Sequence, residues 1–141
     1  MLFLLFSSWR LFNPYTVNPD YIQQCLRRCF DADSESTSLK KFEISVTNEG
    51  FIRLRKYFPN GKQEYFAFNL KRLSDMYFIG SSERGTLILI TQRNDIIVQT
   101  YNDPKGNIDS MTTILRLPLK NIDTDELNYI NNYLNLLKAD K

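Results

Sequence analysis

The side chains that most often carry chemistry are scarce in this chain. It has two Cys and no His. Without imidazole the usual general base near neutral pH is missing. Two Cys and no His cannot complete a standard four-ligand zinc site within one chain. Cys25 and Cys29 stand at i, i+4, a spacing that invites a redox or metal reading. On a helix, however, both thiols fall on one apolar stripe, where Cys behaves as a small hydrophobe. Ser81, Ser82 and Glu83 sit together without an accompanying base. Glu83, Asp95, Asp103 and Asp109 fall in or beside turns, where Asp commonly serves the backbone. The stretch Asn102-Asp-Pro-Lys-Gly-Asn-Ile-Asp109 has oxygen ligands but lacks the spacing of a calcium loop. No phosphate-binding glycine loop is present. These residues predict a protein that is not an enzyme and that uses no metal or cofactor.

Cations are the remaining candidates. Arg53-Leu54-Arg55 puts two guanidinium groups on one side of a strand, and their forks suit phosphate oxygens. Lys41, or Lys40, can join them across the turn Asn48-Glu49-Gly50. The same three residues would equally make the solvated outer face of an antiparallel sheet, with Glu43 and Glu49 diluting the field. Tyr57 and Tyr65 near Arg55 and Lys62 form a small aromatic and basic strip, or simply cross-strand packing pairs. The net charge is +2 and cations alternate with carboxylates along most of the chain, so no nucleic-acid partner is expected.

The elements that carry these residues are legible from periodicity. The chain of 141 residues is 43% hydrophobic and 24% charged, ordinary for one globular domain with a real core. It is too large and too Cys-poor for a disulfide scaffold. Met1–Phe6 is a short apolar run of six residues with no preceding positive charge. That is below the roughly 7–15 of a signal peptide's apolar region and far too short to span a bilayer. It reads as an apolar arm packed on the domain, as a remnant of a targeting segment, or as an interfacial anchor with Trp9 and Arg10 at head-group level. Asn13-Pro14-Tyr15 marks a turn, and Asn18-Pro19 marks a helix start. Tyr21, Ile22, Cys25, Leu26, Cys29 and Phe30 form its apolar face. The polar stretch from Asp31 to Ser38 is a linker.

Strands follow. Lys41–Val46, Phe51–Phe58 and Glu64–Phe68 form a meander, the last two joined at Asn60-Gly61. Further strands are expected within 71–79, over Thr86–Thr91 as an apolar run buried on both faces, over Ile96–Tyr101, and over Thr112–Leu117, reaching Pro118, which marks a strand end or edge. A helix closes the chain, with Asp123 as N-cap and Glu126 three residues later. Ile122 and Leu127 fit a hydrophobic staple, and Leu127, Ile130, Leu134 and Leu137 make its stripe. A lone amphipathic helix after a run of strands must bury that stripe on the sheet or close the end of a barrel.

About seven antiparallel strands and then one amphipathic helix, over residues 40–138, resemble the pleckstrin-homology-like (PH-like) superfold. The resemblance implies a mainly β, α+β domain with two near-orthogonal sheets and a helix plugging the open corner, here with an extra N-terminal helix in front. The family's usual Trp in the last helix is missing, and Tyr129 and Tyr133 are its only aromatics. Many phosphoinositide-binding members carry a first-strand Lys and a basic-x-basic pair on the second, which Lys41, Arg53 and Arg55 resemble. The expected division is 1–18 as an arm, 19–38 as helix and linker, and 39–141 as the PH-like domain. The expected function is a non-catalytic module binding a protein partner by edge-strand or groove pairing. The alternative is a peripheral membrane module docking anionic lipid head groups through Lys41, Arg53 and Arg55. The expected location is cytoplasmic or peripheral to a membrane, or exported if Met1–Phe6 belongs to a signal segment.

Overall fold

Asn18 caps the first described helix. In this computed structural model, residues 18–34 and 37–139 are described. The arm 1–17, with the Met1–Phe6 run and the Asn13-Pro14-Tyr15 turn, lies outside them. The Asn18 side-chain oxygen accepts the amides of Asp20 and Tyr21 at 3.1 and 3.3 Å. Pro19 occupies the first helical position, where its missing N–H costs nothing. Helix α1 (Pro19–Cys29) buries Ile22, Cys25, Leu26 and Cys29, and Phe30 follows them into the core. Asn18→Ala removes the cap and is expected to cost about 1 kcal/mol, lowering the melting midpoint by about 3–5 °C in a thermal melt followed by circular dichroism.

The strands form two antiparallel sheets. The larger sheet contains β1 (Lys41–Val46), β2 (Phe51–Tyr57), β3 (Gln63–Asn69), β6 (Ile96–Tyr101) and β7 (Asp109–Thr112), in the order β1-β2-β3-β6-β7. The smaller contains β4 (Leu73–Gly80), β5 (Arg84–Thr91) and β8 (Ile114–Lys120), in the order β4-β5-β8. The chain therefore leaves the first sheet after β3, makes a hairpin in the second, and returns to set β6 against β3. At Asn60-Gly61 the hairpin turns with Gly61 at φ +92°, and the Gly61 amide donates to the Phe58 carbonyl at 3.0 Å.

Two elements differ from the periodicity reading. Eight strands are described where about seven were expected; β7 is the addition, a short edge strand without hydrophobic alternation. In β5 only Leu87 and Leu89 are fully buried among the aliphatics, while Ile88 and Ile90 are half-exposed on the outer face. Of the two readings of Pro118, strand end or edge, the edge holds. Pro118 sits inside an edge strand opposite Thr86, and its carbonyl accepts the Asp31 amide at 2.9 Å. Proline is tolerated there because an edge strand has one unpaired side.

The inner faces meet in one core that includes Ile44, Leu54, Leu87, Leu117 and Leu119, each at most 1% exposed. Helix α2 (Thr124–Ala139) starts at Asp123, whose amide donates to Glu126 Oε1 at 3.0 Å in the capping-box sense. Ile130, Tyr133, Leu134 and Leu137 of α2 join that core. So do Ile22, Leu26 and Cys29 of α1.

Candidate functional site

Register puts Lys41, Arg53 and Arg55 on one surface, the outer face of the larger sheet. Lys41 pairs with Tyr57, Glu43 with Arg55, and Ser45 with Arg53. The rows continue through β3 and β6, from Arg55 to Tyr65 and Gln99, and from Arg53 to Ala67 and Ile97. The three cations are held differently. Arg55 donates to Gln63 Oε1 at 3.0 Å, and its guanidinium lies 4.7 Å from the Tyr65 ring centre and 5.5 Å from that of Tyr101. Lys41 stands 5.0 Å above the Tyr57 ring and 3.9 Å from Glu43. The Tyr57 hydroxyl donates to Glu43 at 2.6 Å. That bond holds the Glu43 carboxyl below the usual carboxylate range and raises the Tyr57 phenol. A carboxylate thus sits between two of the three cations, which weakens their joint field for phosphate. Arg53 is exposed in the next row, between Ser45 and Ala67, with its guanidinium 5.7 Å from the Phe51 ring centre.

A groove of about 800 Å³ opens on the same face, and none of Lys41, Arg53 and Arg55 lines it; Arg53 reaches only as far as its neighbours Phe51 and Ala67, which do. The floor is apolar: Phe51 and the cross-strand series Ala67, Ile97 and Met111. Two turns raise its walls. The 3-10 turn Leu70–Arg72 carries Lys71 and Arg72, and the Lys71 amide donates to Asn69 Oδ1 at 2.9 Å. The β5–β6 turn carries Arg93 and Asp95, tightened by the Thr91 hydroxyl donating to the Arg93 carbonyl at 2.6 Å. The lining holds three cations, Lys71, Arg72 and Arg93, against one carboxylate, Asp95. Beside it runs the exposed strand β7, which ends the five-stranded order. The sequence pattern pointed to none of the three cations that line the groove. Lys71-Arg72 read as the approach to a strand and Arg93-Asn94-Asp95 as a turn. Both readings are locally right. Their convergence depends on β6 pairing with β3.

Cys25 and Cys29 face the interior between α1 and α2. Cys25 Sγ donates to Glu126 Oε2 at 3.3 Å, and Cys29 Sγ to the Asn121 carbonyl at 3.6 Å. Burial pushes the Cys25 thiol up, which keeps it protonated and unreactive near neutral pH. Arg28 forms an ion pair with the same Glu126. The carbonyls of Ser82 and Glu83 accept the amides of Ile122 and Asn121 at 2.9 and 3.0 Å, so this turn braces the start of α2. Asp103 accepts the Lys105 amide at 3.0 Å and closes its own turn. Among the described residues no group of three or more Cys, Asp or Glu could hold a metal ion, and no helix is long and apolar enough to cross a membrane. Comparison with protein families, curated proteins and solved structures finds no match for this chain.

Proposed function

We propose that this chain is a non-catalytic, PH-like binding module whose groove takes an acidic, partly apolar segment of a protein partner. The observation that carries the reading is the groove itself: an apolar floor of Phe51, Ala67, Ile97 and Met111 under Lys71, Arg72 and Arg93. An apolar floor supplies contact area, and a cationic rim selects the sign of the partner's charge and steers its approach. The edge of β7, unpaired among the described residues, offers backbone groups to an extended segment lying along the groove, the strand-addition mode of peptide recognition. Support for the PH-like assignment is the pair of antiparallel sheets with a terminal helix packed into their core.

The test uses short fluorescein-labelled peptides in which Leu alternates with Glu, Gln or Lys, read by fluorescence anisotropy against the full chain. The Glu series is expected to bind most tightly and to weaken as salt rises. Lys71→Glu/Arg93→Glu should lower its affinity by at least about tenfold with the fold unchanged by circular dichroism. Equal binding of all three series, or an unaffected double variant, would sink the reading. Capture of the chain by anionic vesicles, lost in Arg53→Ala/Arg55→Ala, would replace it with head-group docking.

A further inference from the structure

The smaller sheet has an outer face that carries more apolar side chains than an exposed sheet face usually does. Its cross-strand rows are Asp75–Ile90–Ile114, Tyr77–Ile88–Arg116 and Ile79–Thr86–Pro118. Ile79 is 63% exposed and Tyr77 50%. Ile88, Ile90, Ile114 and Pro118 are half-exposed beside them. Antiparallel sheets usually alternate apolar-in and polar-out, so a contiguous outer patch of this kind marks a contact surface.

We infer that this face is the contact between two copies of this chain, stacked sheet on sheet. Charge selects both the occupant and the register. Two copies can face each other about a two-fold axis lying in the contact plane. If the axis crosses the strands, β8 lies over the partner's β8 and Arg116 falls near Arg116 of the partner subunit. If the axis runs along the strands, β4 of each copy lies over β8 of the other, at the same row. Arg116 then stands over the partner's Tyr77, one row from the partner's Asp75. The second arrangement pairs a guanidinium with an aromatic face and a carboxylate, twice by symmetry. The isoleucines of β5 fill the centre, as in aligned sheet packing. The face thus complements itself, which a surface shaped for a lipid bilayer has no reason to do.

Pairing through the β4 edge is disfavoured. There the Asp75 side chain already accepts the Met76 amide at 2.8 Å, beside a register shift between Leu73 and Asp75. Area limits the strength. Three strands at a spacing of about 4.8 Å and eight residues at about 3.3 Å give a face of about 14 by about 26 Å. That is about half of the roughly 800 Å² per partner of a standard interface, so the dimer is weak and forms only in concentrated samples.

Sedimentation equilibrium of the full chain over a concentration series tests this. The parent chain should pass from monomer to dimer as concentration rises. Ile79→Lys should remain monomeric at every concentration with an unchanged thermal melt, since Ile79 is exposed. Arg116→Asp alone and Asp75→Arg alone should each be monomeric, because each puts like charges opposite twice. An equimolar mixture of those two variants should restore the dimer, because every cross pair is then opposite in sign. A parent chain that stays monomeric throughout overturns the inference. So does a mixture no more associated than its components. Binding of a monomeric chain to phosphatidylcholine vesicles, abolished by Ile79→Lys, also overturns it and assigns the face to a bilayer.

Discussion

Gly80→Ala is expected to cost about 3 kcal/mol or more of folding free energy, measured by urea denaturation followed by circular dichroism. Two effects add at this position. The backbone of Gly80 sits at φ +124°, which L side chains rarely adopt. A Cβ there would also stand 2.6 Å from Gly85 Cα and 2.7 Å from the Arg84 carbonyl oxygen, backbone atoms of the paired strand that cannot turn away. Gly85→Ala meets a more forgiving obstacle in part. Its Cβ would lie 2.4 Å from Phe78 Cζ, the far end of a side chain, but 2.9 Å from the Ile79 carbonyl oxygen. Its cost should be smaller, about 2 kcal/mol, and should shrink measurably in a Phe78→Ala background where the ring is gone. Against a total stability of about 5–15 kcal/mol, Gly80→Ala takes a large share. Equal costs for the two glycines, or no coupling between Gly85 and Phe78, would refute this account of the β4–β5 hairpin.

Those glycines also mark what the sequence can disclose. Signals that act within a few residues were readable. Asn18-Pro19 caps α1, Asp123 and Glu126 start α2, and Asn60-Gly61 turns β2 into β3, as the residue types require. The mainly antiparallel β class with a terminal helix was readable for the same reason, because alternation and the 3.6-residue stripe are local. The Gly80–Gly85 opposition was not, since it needs the hairpin's register. β7 escaped because Asp109-Ser-Met-Thr has no alternation, and its strand character comes from pairing with β6. β5 read as buried on both faces because Ile88 and Ile90 are apolar. Their half-exposure follows from the smaller sheet having no second layer on its outer side among the described residues. The candidate groove was not legible. The spacing of Arg53 and Arg55 marked the neighbouring strand surface, whereas Lys71, Arg72 and Arg93 come together only through the β3–β6 crossover.

The second large effect concerns α1. Leu26→Ala should cost about 2–5 kcal/mol, as much as Leu117→Ala in the middle of β8. Leu26 is 2% exposed and Leu117 0%, and both belong to the same core cluster. The helix is tied to the sheets by more than apolar contact. Gln23 Oε1 accepts the Val46 amide at 2.9 Å, and Arg27 Nε donates to the Ile44 carbonyl at 2.8 Å, along the outer edge of β1. At the other side the Asp31 amide reaches the Pro118 carbonyl, beside an isolated bridge between Phe30 and Leu119. The segment thus covers two sheet edges, one on each sheet, that would otherwise present unpaired backbone groups. If α1 were an appendage, Leu26→Ala would loosen the helix and leave the sheets' transition in place. Because its face completes the core, helix and sheet signals should instead unfold together at a lower denaturant midpoint. Far-ultraviolet circular dichroism at the helix band and tyrosine fluorescence separate the cases. Coincident curves in parent and variant support one cooperative unit, and a split in the variant would make α1 a separately melting element.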